Sequence, residues 1–382
     1  MRFFHLSDLH IGLKLMNRDL REDQAYIFDK IAEYAGQYRP DAIVIAGDIY
    51  DKSIPSAEAV DLFDAFVQKL TEAAPETEIM MISGNHDSAS RVNVFRNVLR
   101  RQRIHMIGMP PVRPEEYIEK VTLRDEHGPV NFYLLPFVRP SMVREITGYR
   151  EDGSALSYDE AVHKLIEREN IEQSERNVLV SHQFYLPVGA DADKVERMDS
   201  EIRTVGNIDE IRADVLGAFD YAALGHIHKP MKVGDELYRY CGTPLACSVS
   251  EAGQQKGIIM VDLAQKGETV TTVLPLIPLH EVKVIRGPLE DVVLRACDDY
   301  VTVVLTDTVD LDVLDMQDRI RDAFPRLLEI RREAVREEQY SLNPEELSQM
   351  PEPFELCCAF YAEISEEEKE LLRNIINTVQ GA

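Results

Sequence analysis

Short apolar segments alternate with amphipathic segments through the first two thirds of the sequence. Apolar runs of strand length predict β-strands, and they are RFFHLSD, DAIVIAGD, EIMMISGNHD, VNFYLLP, NVLVSH and YAALGHIH. Apolar residues at helical spacing fill the first two intervals: Leu20, Ile27, Ile31, Tyr34 and Ala35, then Val60, Phe63, Val67 and Leu70. This alternation predicts an α/β architecture built from layers of sheet and helix.

The pattern changes near residue 277. Residues 278–335 predict a small strand, helix, strand, helix, strand unit: EVKVIRG, a helix near 289–297, YVTVVLTD, a helix near 312–323 and RLLEIRREA. Residues 336–382 are charged and interrupted by proline, with a last helix predicted at SEEEKELLRNIINTV. We therefore predict a main domain over 1–277, a small α+β domain over 278–335 and a C-terminal segment over 336–382.

Composition indicates a globular protein. The chain has 382 residues, 45% of them hydrophobic, which is enough for a large core. No run reaches the roughly 18 apolar residues of a membrane span, and the chain enters a strand without a basic and apolar leader, so we expect a cytoplasmic protein. The five cysteines form no CxxC pair, so we expect reduced, structural thiols.

The net charge of -26 argues against a protein that grips nucleic acid by a basic surface alone. Residues 88–114 are an exception, because they contain no Asp or Glu but include Arg91, Arg96, Arg100, Arg101, Arg103 and Arg113. These arginines form either a solvated helix face that balances acidic neighbours or a patch that faces a polyanionic substrate. The sequence leaves both interpretations open.

Potential metal ligands follow the predicted strands one after another. In chain order they are Asp8, His10, Asp48, Asn85, His182, His226 and His228. In an open α/β sheet the carboxyl ends of the strands share one crevice, so we expect these side chains to converge there. Oxygen and nitrogen donors without a thiolate suit Mn²⁺, Mg²⁺, Fe²⁺ or Zn²⁺ in a two-metal site.

Each motif alone is weak evidence, but the ordered set D-x-H, GD-x-x-D, GNHD, a lone His and GH-x-H resembles the calcineurin-like metallophosphoesterase superfamily over residues 1–275. The segments FFHLSDLHIG, GDIYDKSIPS, ISGNHDS, LVSHQF, ALGHIHKP and YCGTPLACSVSEAG are most similar to its SbcD-type nuclease subunits. The resemblance implies a four-layer sandwich of two β-sheets flanked by helices. It also implies a small capping domain and a partner-binding C-terminal segment.

The resemblance implies two divalent ions, Mn²⁺ first and Mg²⁺ as the alternative. Asp8, His10 and His228 would bind one ion, while Asn85, His182 and His226 would bind the other. Asp48 would bridge them, since one carboxylate can hold two cations. A water held between the ions would then attack the phosphate.

The same resemblance makes His86 the residue that stabilises the phosphate or protonates the departing oxygen, with Asp87 as its orienting partner. Asp51 replaces a histidine of archaeal and eukaryotic counterparts, and both a turn role and a catalytic role stay open.

A helix predicted through SASRVNVFRNVLRRQ would begin beside the metals and offer its positive end to phosphate. Arg91 and Arg96 are candidate contacts to the DNA backbone.

The implied function is a DNA nuclease subunit, active as a double-strand exonuclease and as a single-strand and hairpin endonuclease in DNA repair and recombination. Its implied partner is an SbcC-type coiled-coil ATPase, with a homodimer inside a heterotetramer and no membrane. Apolar residues beyond those a sheet face requires would form the dimer contact: Val60, Phe63, Val67 and Leu70 on one helix and Val94, Phe95 and Val98 on the next.

The alternative function is a phosphodiesterase or phosphatase that acts on a small molecule or phosphoprotein, since fold and metals do not fix the substrate. A non-catalytic scaffold is disfavoured by the intact ligand set. The apolar stripe of the last helix could pack on its own domain or on a partner helix; it comprises Leu371, Leu372, Ile375, Ile376 and Val379.

Overall fold

A computed structural model describes residues 1–190, 198–201, 209–307, 313–333, 365 and 368–372. The chain forms two compact units, Met1–Glu333 and Ala334–Ala382. Most of the second unit, including most of the predicted last helix, lies outside the described residues. Residues 368–372 are helical, and Ser365 Oγ accepts a hydrogen bond from the Glu368 N–H while the Glu368 carboxylate accepts one from the Ser365 N–H. This capping box marks a helix start at the predicted place.

The strands of the described residues, in chain order, are β1 (Arg2–Leu6), β2 (Lys14–Leu15), β3 (Arg18–Asp19), β4 (Ala42–Ala46), β5 (Glu78–Ile82), β6 (Ile104–Ile107), β7 (Glu119–Asp125), β8 (Gly128–Leu135), β9 (Arg176–His182), β10 (Phe184–Leu186), β11 (Glu210–Arg212), β12 (Tyr221–Gly225), β13 (Met231–Val233), β14 (Asp235–Tyr240), β15 (Lys256–Leu263), β16 (Thr269–Leu276), β17 (Val282–Gly287), β18 (Tyr300–Leu305) and β19 (Leu327–Arg332).

The helices are α1 (Arg21–Tyr38), α2 (Ala57–Ala73), α3 (Ala89–Val92), α4 (Arg96–Leu99), α5 (Arg144–Thr147), α6 (Tyr158–Glu167), α7 (Leu289–Val293) and α8 (Val313–Ala323). Short 3₁₀ helices lie at Arg100–Gln102, Pro140–Met142, Ala213–Ala218 and Val249–Glu251. No helix of the described residues is long and apolar enough to cross a membrane.

Two six-stranded sheets form the body of the first unit. The first sheet has the order β16-β15-β1-β4-β5-β6, in which β1, β4, β5 and β6 run parallel. The second has the order β13-β14-β12-β9-β8-β7, in which β8, β9, β12 and β14 run parallel. Antiparallel strands complete both sheets.

The apolar core shows how the two sheets are layered. Phe3 and Val44 of the first sheet pack with Phe132 and Val180 of the second in one buried cluster. A separate cluster joins the other face of the first sheet to α1 and α2, and a third joins the second sheet to α6. The layers are therefore helix, sheet, sheet and helix, which confirms the four-layer sandwich.

A small three-stranded parallel sheet, β17-β18-β19, follows the sandwich. Its helices α7 and α8 pack on it through a core that includes Val292, Val301 and Ile320. The order strand, helix, strand, helix, strand agrees with the prediction. The carboxylate of Asp23 on α1 contacts His280 Nδ1 at 2.9 Å and the Tyr300 hydroxyl at 2.8 Å. These contacts attach the small three-stranded sheet to the sandwich.

The helix predicted after GNHD is wrong as a single element. The segment forms α3 and α4, with Phe95 between them in the left-handed conformation at φ 62°. Asn93 Oδ1 accepts a 2.8 Å hydrogen bond from the Gly108 N–H after β6, which ties the end of α3 to the first sheet. Helices of four residues offer no sustained dipole, so the predicted phosphate site at a helix start is not supported.

Cys241, Cys247 and Cys297 are free thiols. Cys357 and Cys358 lie outside the described residues.

Candidate metal centre

The predicted ligands gather at the carboxyl-terminal edges of both sheets. Asp8, His10, Asp48 and Asn85 follow β1, β4 and β5 of the first sheet, and His182, His226 and His228 follow or end β9 and β12 of the second. The strand pattern predicted one shared crevice, and the family resemblance implied two sheets. The structure stacks two sheets, so that their parallel strands end on a common rim.

Four of these residues have strained backbones. Asp8, His10 and Asp48 have φ values of 52°, 43° and 49°, and His226 has 104°. Such values are uncommon outside glycine and cost free energy that the surrounding structure must offset. Their concentration here indicates that the loops are shaped to aim side chains at one point.

Glycines let the loops of the two sheets approach closely. A Cβ atom on Gly47 would lie 2.2 Å from His182 Nδ1, and one on Gly84 would lie 2.1 Å from Asp48 Oδ1. No side chain fits at either distance. The glycine before Asp48 and the glycine before Asn85 are therefore required for the packing of the ligands themselves.

His182 is held in a defined orientation. Its Nδ1 lies 2.7 Å from the Ala46 carbonyl oxygen, which can only accept, so Nδ1 carries the proton. Its Nε2 faces Asn85 Oδ1 at 2.9 Å and Asp48 Oδ2 at 3.3 Å. When the ring is neutral, His182 Nε2 is a hydrogen-bond acceptor, as are Asn85 Oδ1 and Asp48 Oδ2. Three acceptors this close together repel one another, so a proton or another cation is needed between them.

Electrostatics agree with that requirement. Burial acts to lower the pKa of His182, but the carboxylates of Asp48 and Asp8 outweigh it and raise the pKa to about 9. Burial acts to raise the pKa of Asp48, but interactions with His182 and then His10 hold it well below its usual range. The site therefore attracts cations, either as protons or as metal ions.

Among the described residues, four groups of three side chains each bring their potential ligand atoms within 4.8 Å of one another. One contains Asp8, His10 and His228, and another contains Asp8, Asp48 and His182. Asp8 is common to these two groups. Asp48 Oδ2 lies 3.7 Å from His10 Nε2 and 3.3 Å from His182 Nε2, so its carboxylate faces a histidine of each group.

The remaining ligand candidates join these groups. Asn85 Oδ1 contacts His226 Nδ1 at 2.9 Å as well as His182, and His10 Nε2 lies 3.1 Å from His228 Nε2. The buried Nδ1 of His10 has no hydrogen-bond partner among the described residues. Two carboxylates, one amide oxygen and four imidazoles form a donor set that fits two divalent ions.

His86 lies beside the ligand groups, but its orienting contact differs from the expected one. Its Nδ1 lies 2.9 Å from the backbone carbonyl of Asp51, not on the Asp87 carboxylate. Asp87 accepts hydrogen bonds from the N–H groups of Ile49, Tyr50 and Gly84 at 3.0, 2.9 and 2.9 Å. The expectation that Asp87 orients the His86 ring is therefore wrong, because the loop after β4 occupies its carboxylate.

Burial and the charge of Asp48 raise the pKa of Asp87 to about 6, against the three backbone N–H groups that lower it. The Asp51 carboxylate is half-buried, and its Oδ1 lies 3.8 Å from His10 Nδ1. The contact with His86 is made by the backbone carbonyl of Asp51, which any residue at this position would supply.

The candidate arginines lie on the short helices. Arg91 on α3 is exposed, and Arg96 on α4 is half-buried with its guanidinium 3.7 Å from the Glu119 carboxylate of β7. Arg100 also faces Glu119, at 3.4 Å. Part of the basic run therefore balances acidic neighbours.

Sequence reasoning missed a polar cluster behind His228. Ser200 Oγ lies 2.7 Å from His228 Nδ1 and donates a 2.9 Å hydrogen bond to Glu251 Oε1. Glu251 belongs to the segment SVSEAG, which carried part of the family resemblance without an assigned role. The sequence signal that could have identified Glu251 was a single glutamate among the small side chains of this segment.

Comparisons with known proteins agree with this geometry. The family described as calcineurin-like phosphoesterase matches residues 1–230, and the type 5 capsule protein repressor C-terminal domain, named SbcD_C, matches residues 278–365. The SbcD subunit of the SbcCD nuclease of Staphylococcus epidermidis is 29% identical over 335 residues, which cover 86% of this chain and 84% of that protein.

Similar solved structures include GAP50, the anchor in the inner membrane complex of Plasmodium, at 12% identity and a TM-score of 0.42, with 86% of this chain and 96% of that chain covered. A dimetal phosphatase from Danio rerio is 14% identical with a TM-score of 0.40, and 72% of this chain and 96% of that chain are covered.

The chain belongs to the calcineurin-like phosphoesterase family, which makes it a hydrolase of phosphoesters that works with divalent metal ions. The two family matches and the staphylococcal relative together confirm the expectation of an SbcD-type metallophosphoesterase.

Proposed function

We propose that this protein is the metal-dependent nuclease subunit of a DNA repair and recombination complex in the cytoplasm. It acts as a double-strand exonuclease and as a single-strand and hairpin endonuclease, together with an SbcC-type coiled-coil ATPase. The observation that carries the proposal is the meeting of two ligand groups around Asp48. Similarity to a nuclease subunit over 86% of the chain supports the choice of DNA as substrate.

In this proposal Asp8, His10 and His228 hold one ion, and Asn85, His182 and His226 hold the other. Asp48 holds both, and Mn²⁺ is the proposed ion. When bound, the ions supply Lewis acidity and a water that is acidic enough to act as nucleophile near neutral pH.

The protein's own residues position the phosphate and move a proton. His86 is 17% exposed, with Nε2 4.0 Å from Asp48 Oδ2, so it borders the ligand groups and is open to a substrate. Because Nδ1 donates to the Asp51 carbonyl, a protonated ring presents Nε2–H on the side of the ligand groups. That N–H stabilises a phosphate oxygen or passes its proton to the departing oxygen.

Because the chain is strongly acidic, its affinity for DNA has to come from a local basic surface or from a partner protein. Arg91 is exposed, and Arg96 is only loosely paired with Glu119, so both are proposed backbone contacts. The ATPase partner supplies the remaining affinity.

The homodimer is proposed to form through the surface around α2 to α4. Phe95, Val98 and Val94 are 73%, 61% and 51% exposed, and Val60 on α2 is 43% exposed. The expectation that Leu70 belongs to this contact is wrong, because Leu70 is fully buried in the core, against which Phe63 and Val67 are partly packed. Neighbouring apolar side chains of this size mark an association surface. Light scattering at micromolar concentration tests this, since a monomer mass would contradict it.

The central experiment measures Mn²⁺-dependent cleavage with and without the ATPase partner. Substrates are linear duplex DNA, hairpin DNA and an aryl phosphodiester, and the Asp48→Asn variant controls for contaminating nucleases. We expect cleavage of DNA that the partner increases and the variant lacks. Cleavage of the aryl ester alone, with the partner present, would instead support a small-molecule phosphodiesterase.

A further inference from the structure

Glu251 is a fully buried carboxylate behind the metal centre. It is 1% exposed, and both of its oxygens are saturated with donors. Oε2 accepts hydrogen bonds from Lys256 Nζ at 2.6 Å and Thr243 Oγ1 at 2.9 Å. Oε1 accepts hydrogen bonds from Ser200 Oγ at 2.9 Å, Ser248 Oγ at 3.0 Å and the Cys247 N–H at 3.2 Å. The buried ammonium of Lys256 balances the charge, so the carboxylate is held ionised.

The ionised carboxylate fixes the direction of the hydrogen bonds around Ser200. An ionised carboxylate can only accept, so the one hydroxyl proton of Ser200 points to Glu251. The Ser200 oxygen is then the acceptor toward His228 Nδ1, which lies 2.7 Å away. His228 must therefore carry its proton on Nδ1. Glu251 Oε1 itself is 3.7 Å from Nδ1, too far for a direct hydrogen bond.

The other ring nitrogen of His228 faces the ligand groups. With the proton on Nδ1, Nε2 presents its lone pair 3.1 Å from His10 Nε2 and 4.0 Å from Asp8 Oδ1. This is the tautomer and the ring orientation that a metal ligand needs. The backbone N–H of His228 is also held, by Glu201 Oε1 at 2.9 Å.

We propose that Glu251 is a positioning residue of the metal centre, which acts through the Ser200 hydroxyl to keep the Nε2 lone pair of His228 directed at the ion shared with Asp8 and His10. The inference rests on the proposed role of His228 as a ligand. Such outer contacts are typically worth 10- to 100-fold in metal affinity.

Two variants interrupt the hydrogen-bond relay that runs from Glu251 through Ser200 to His228, each at a different point. Ser200→Ala removes the hydroxyl, and Glu251→Gln leaves a single acceptor oxygen, for which the charged Lys256 ammonium competes with the Ser200 hydroxyl. Ser200→Thr keeps the hydroxyl. Glu169→Gln is the matched control, because the Glu169 carboxylate accepts from the Ile118 N–H at 2.9 Å, outside the metal centre, and the amide oxygen can still accept.

The first measurement is Mn²⁺ binding to the full-length chain, followed by the loss of the free-ion signal in electron paramagnetic resonance. We expect two ions in the wild type, and about 10- to 100-fold weaker binding of one of them in Ser200→Ala and Glu251→Gln. Ser200→Thr and Glu169→Gln should bind both ions as the wild type does. Wild-type affinity in Ser200→Ala would overturn the proposal, even if Glu251→Gln fails to fold.

The second measurement uses the metal-free protein, so it does not depend on activity. Nitrogen-15 NMR of labelled histidines, with His228 assigned from the His228→Gln variant, should show the proton on Nδ1 in the wild type and a changed tautomer population in Ser200→Ala. A proton on Nε2 in the wild type would overturn the relay. A wild type that binds two ions but leaves DNA intact would contradict only the proposed nuclease function.

Discussion

The backbone N–H of His86 donates a 2.9 Å hydrogen bond to Asp48 Oδ1, which joins the loop after β5 to the loop after β4. The His86 side chain is held separately, at the carbonyl of Asp51. The main chain of His86 thus supports the proposed bridging ligand, while its ring remains available to the substrate.

Replacing the His86 ring should therefore separate chemistry from metal binding. We expect His86→Ala to retain two Mn²⁺ ions, because its backbone N–H still reaches Asp48, and to lose about 10² to 10⁴ in cleavage rate. Elemental analysis and initial rates check this. His127→Ala, at an exposed turn, should keep both metals and rate. Loss of both ions from His86→Ala would disprove the assignment.

Asp48 and Asn85 should differ in how many ions they control. The Asp48 carboxylate faces His10 of one group and His182 of the other, so Asp48→Ala should weaken both ions together. Asn85 Oδ1 contacts His182 and His226, which are proposed to hold one ion, so Asn85→Ala should weaken that ion and spare the other. Metal content at graded Mn²⁺ concentrations distinguishes them, and loss of a single ion from Asp48→Ala would rule out bridging.

Asp87 should matter for stability as well as for activity. Its buried carboxylate satisfies three backbone N–H groups, so Asp87→Ala should lower the free energy of unfolding by about 3 kcal/mol. Asp87→Asn keeps one acceptor oxygen and should lose less. Urea denaturation of the metal-free protein measures both. An Asp87→Ala variant of wild-type stability but without cleavage would point to a direct chemical role instead.

His5 should make stability depend on pH. Burial lowers its pKa to about 3, against the hydrogen bond to the Leu224 carbonyl. The unfolded chain takes up this proton below about pH 6.5, but the folded chain does so only near pH 3. The unfolded state therefore binds more protons in that window, and stability falls as the pH decreases.

The expected slope from His5 is about 1.4 kcal/mol per pH unit below pH 6.5. His5→Gln can donate to Leu224 and accept from Tyr221, but it does not titrate. Denaturation curves of both proteins between pH 5 and 7 give the difference. Parallel pH dependence in the two proteins would show that His5 is not the cause.

The C-terminal segment should be needed for the partner and not for hydrolysis. Residues 336–382 lie mostly outside the described residues, but Leu371 is helical and 62% exposed. Deleting this segment should abolish co-purification with the ATPase and leave aryl phosphodiester hydrolysis within about two-fold. Leu371→Asp should weaken the complex in the same direction. Full retention of the partner by the truncated chain would exclude the segment as the docking element.

The sequence by itself determined the elements that carry the site. Buried strands such as β4 and β12 are continuous apolar runs, so the polar residues at their ends are visible as exceptions. The three-stranded unit after residue 277 was predicted for the same reason. Strand β7 was missed because it lies at a sheet edge and alternates polar with partly buried residues.

The tertiary structure alone decided how those ends meet. Which sheet faces which depends on burying a second apolar face against residues distant in the chain, such as Phe3 against Phe132. Only that stacking places His182 against Asp48 and brings Ser200 and Glu251 behind His228. The pairing of β4 with β5 in the first sheet brings the Asp87 carboxylate to the loop after β4. Local patterns record which residues are polar or buried, whereas hydrogen-bond partners follow from packing between segments that are far apart in sequence.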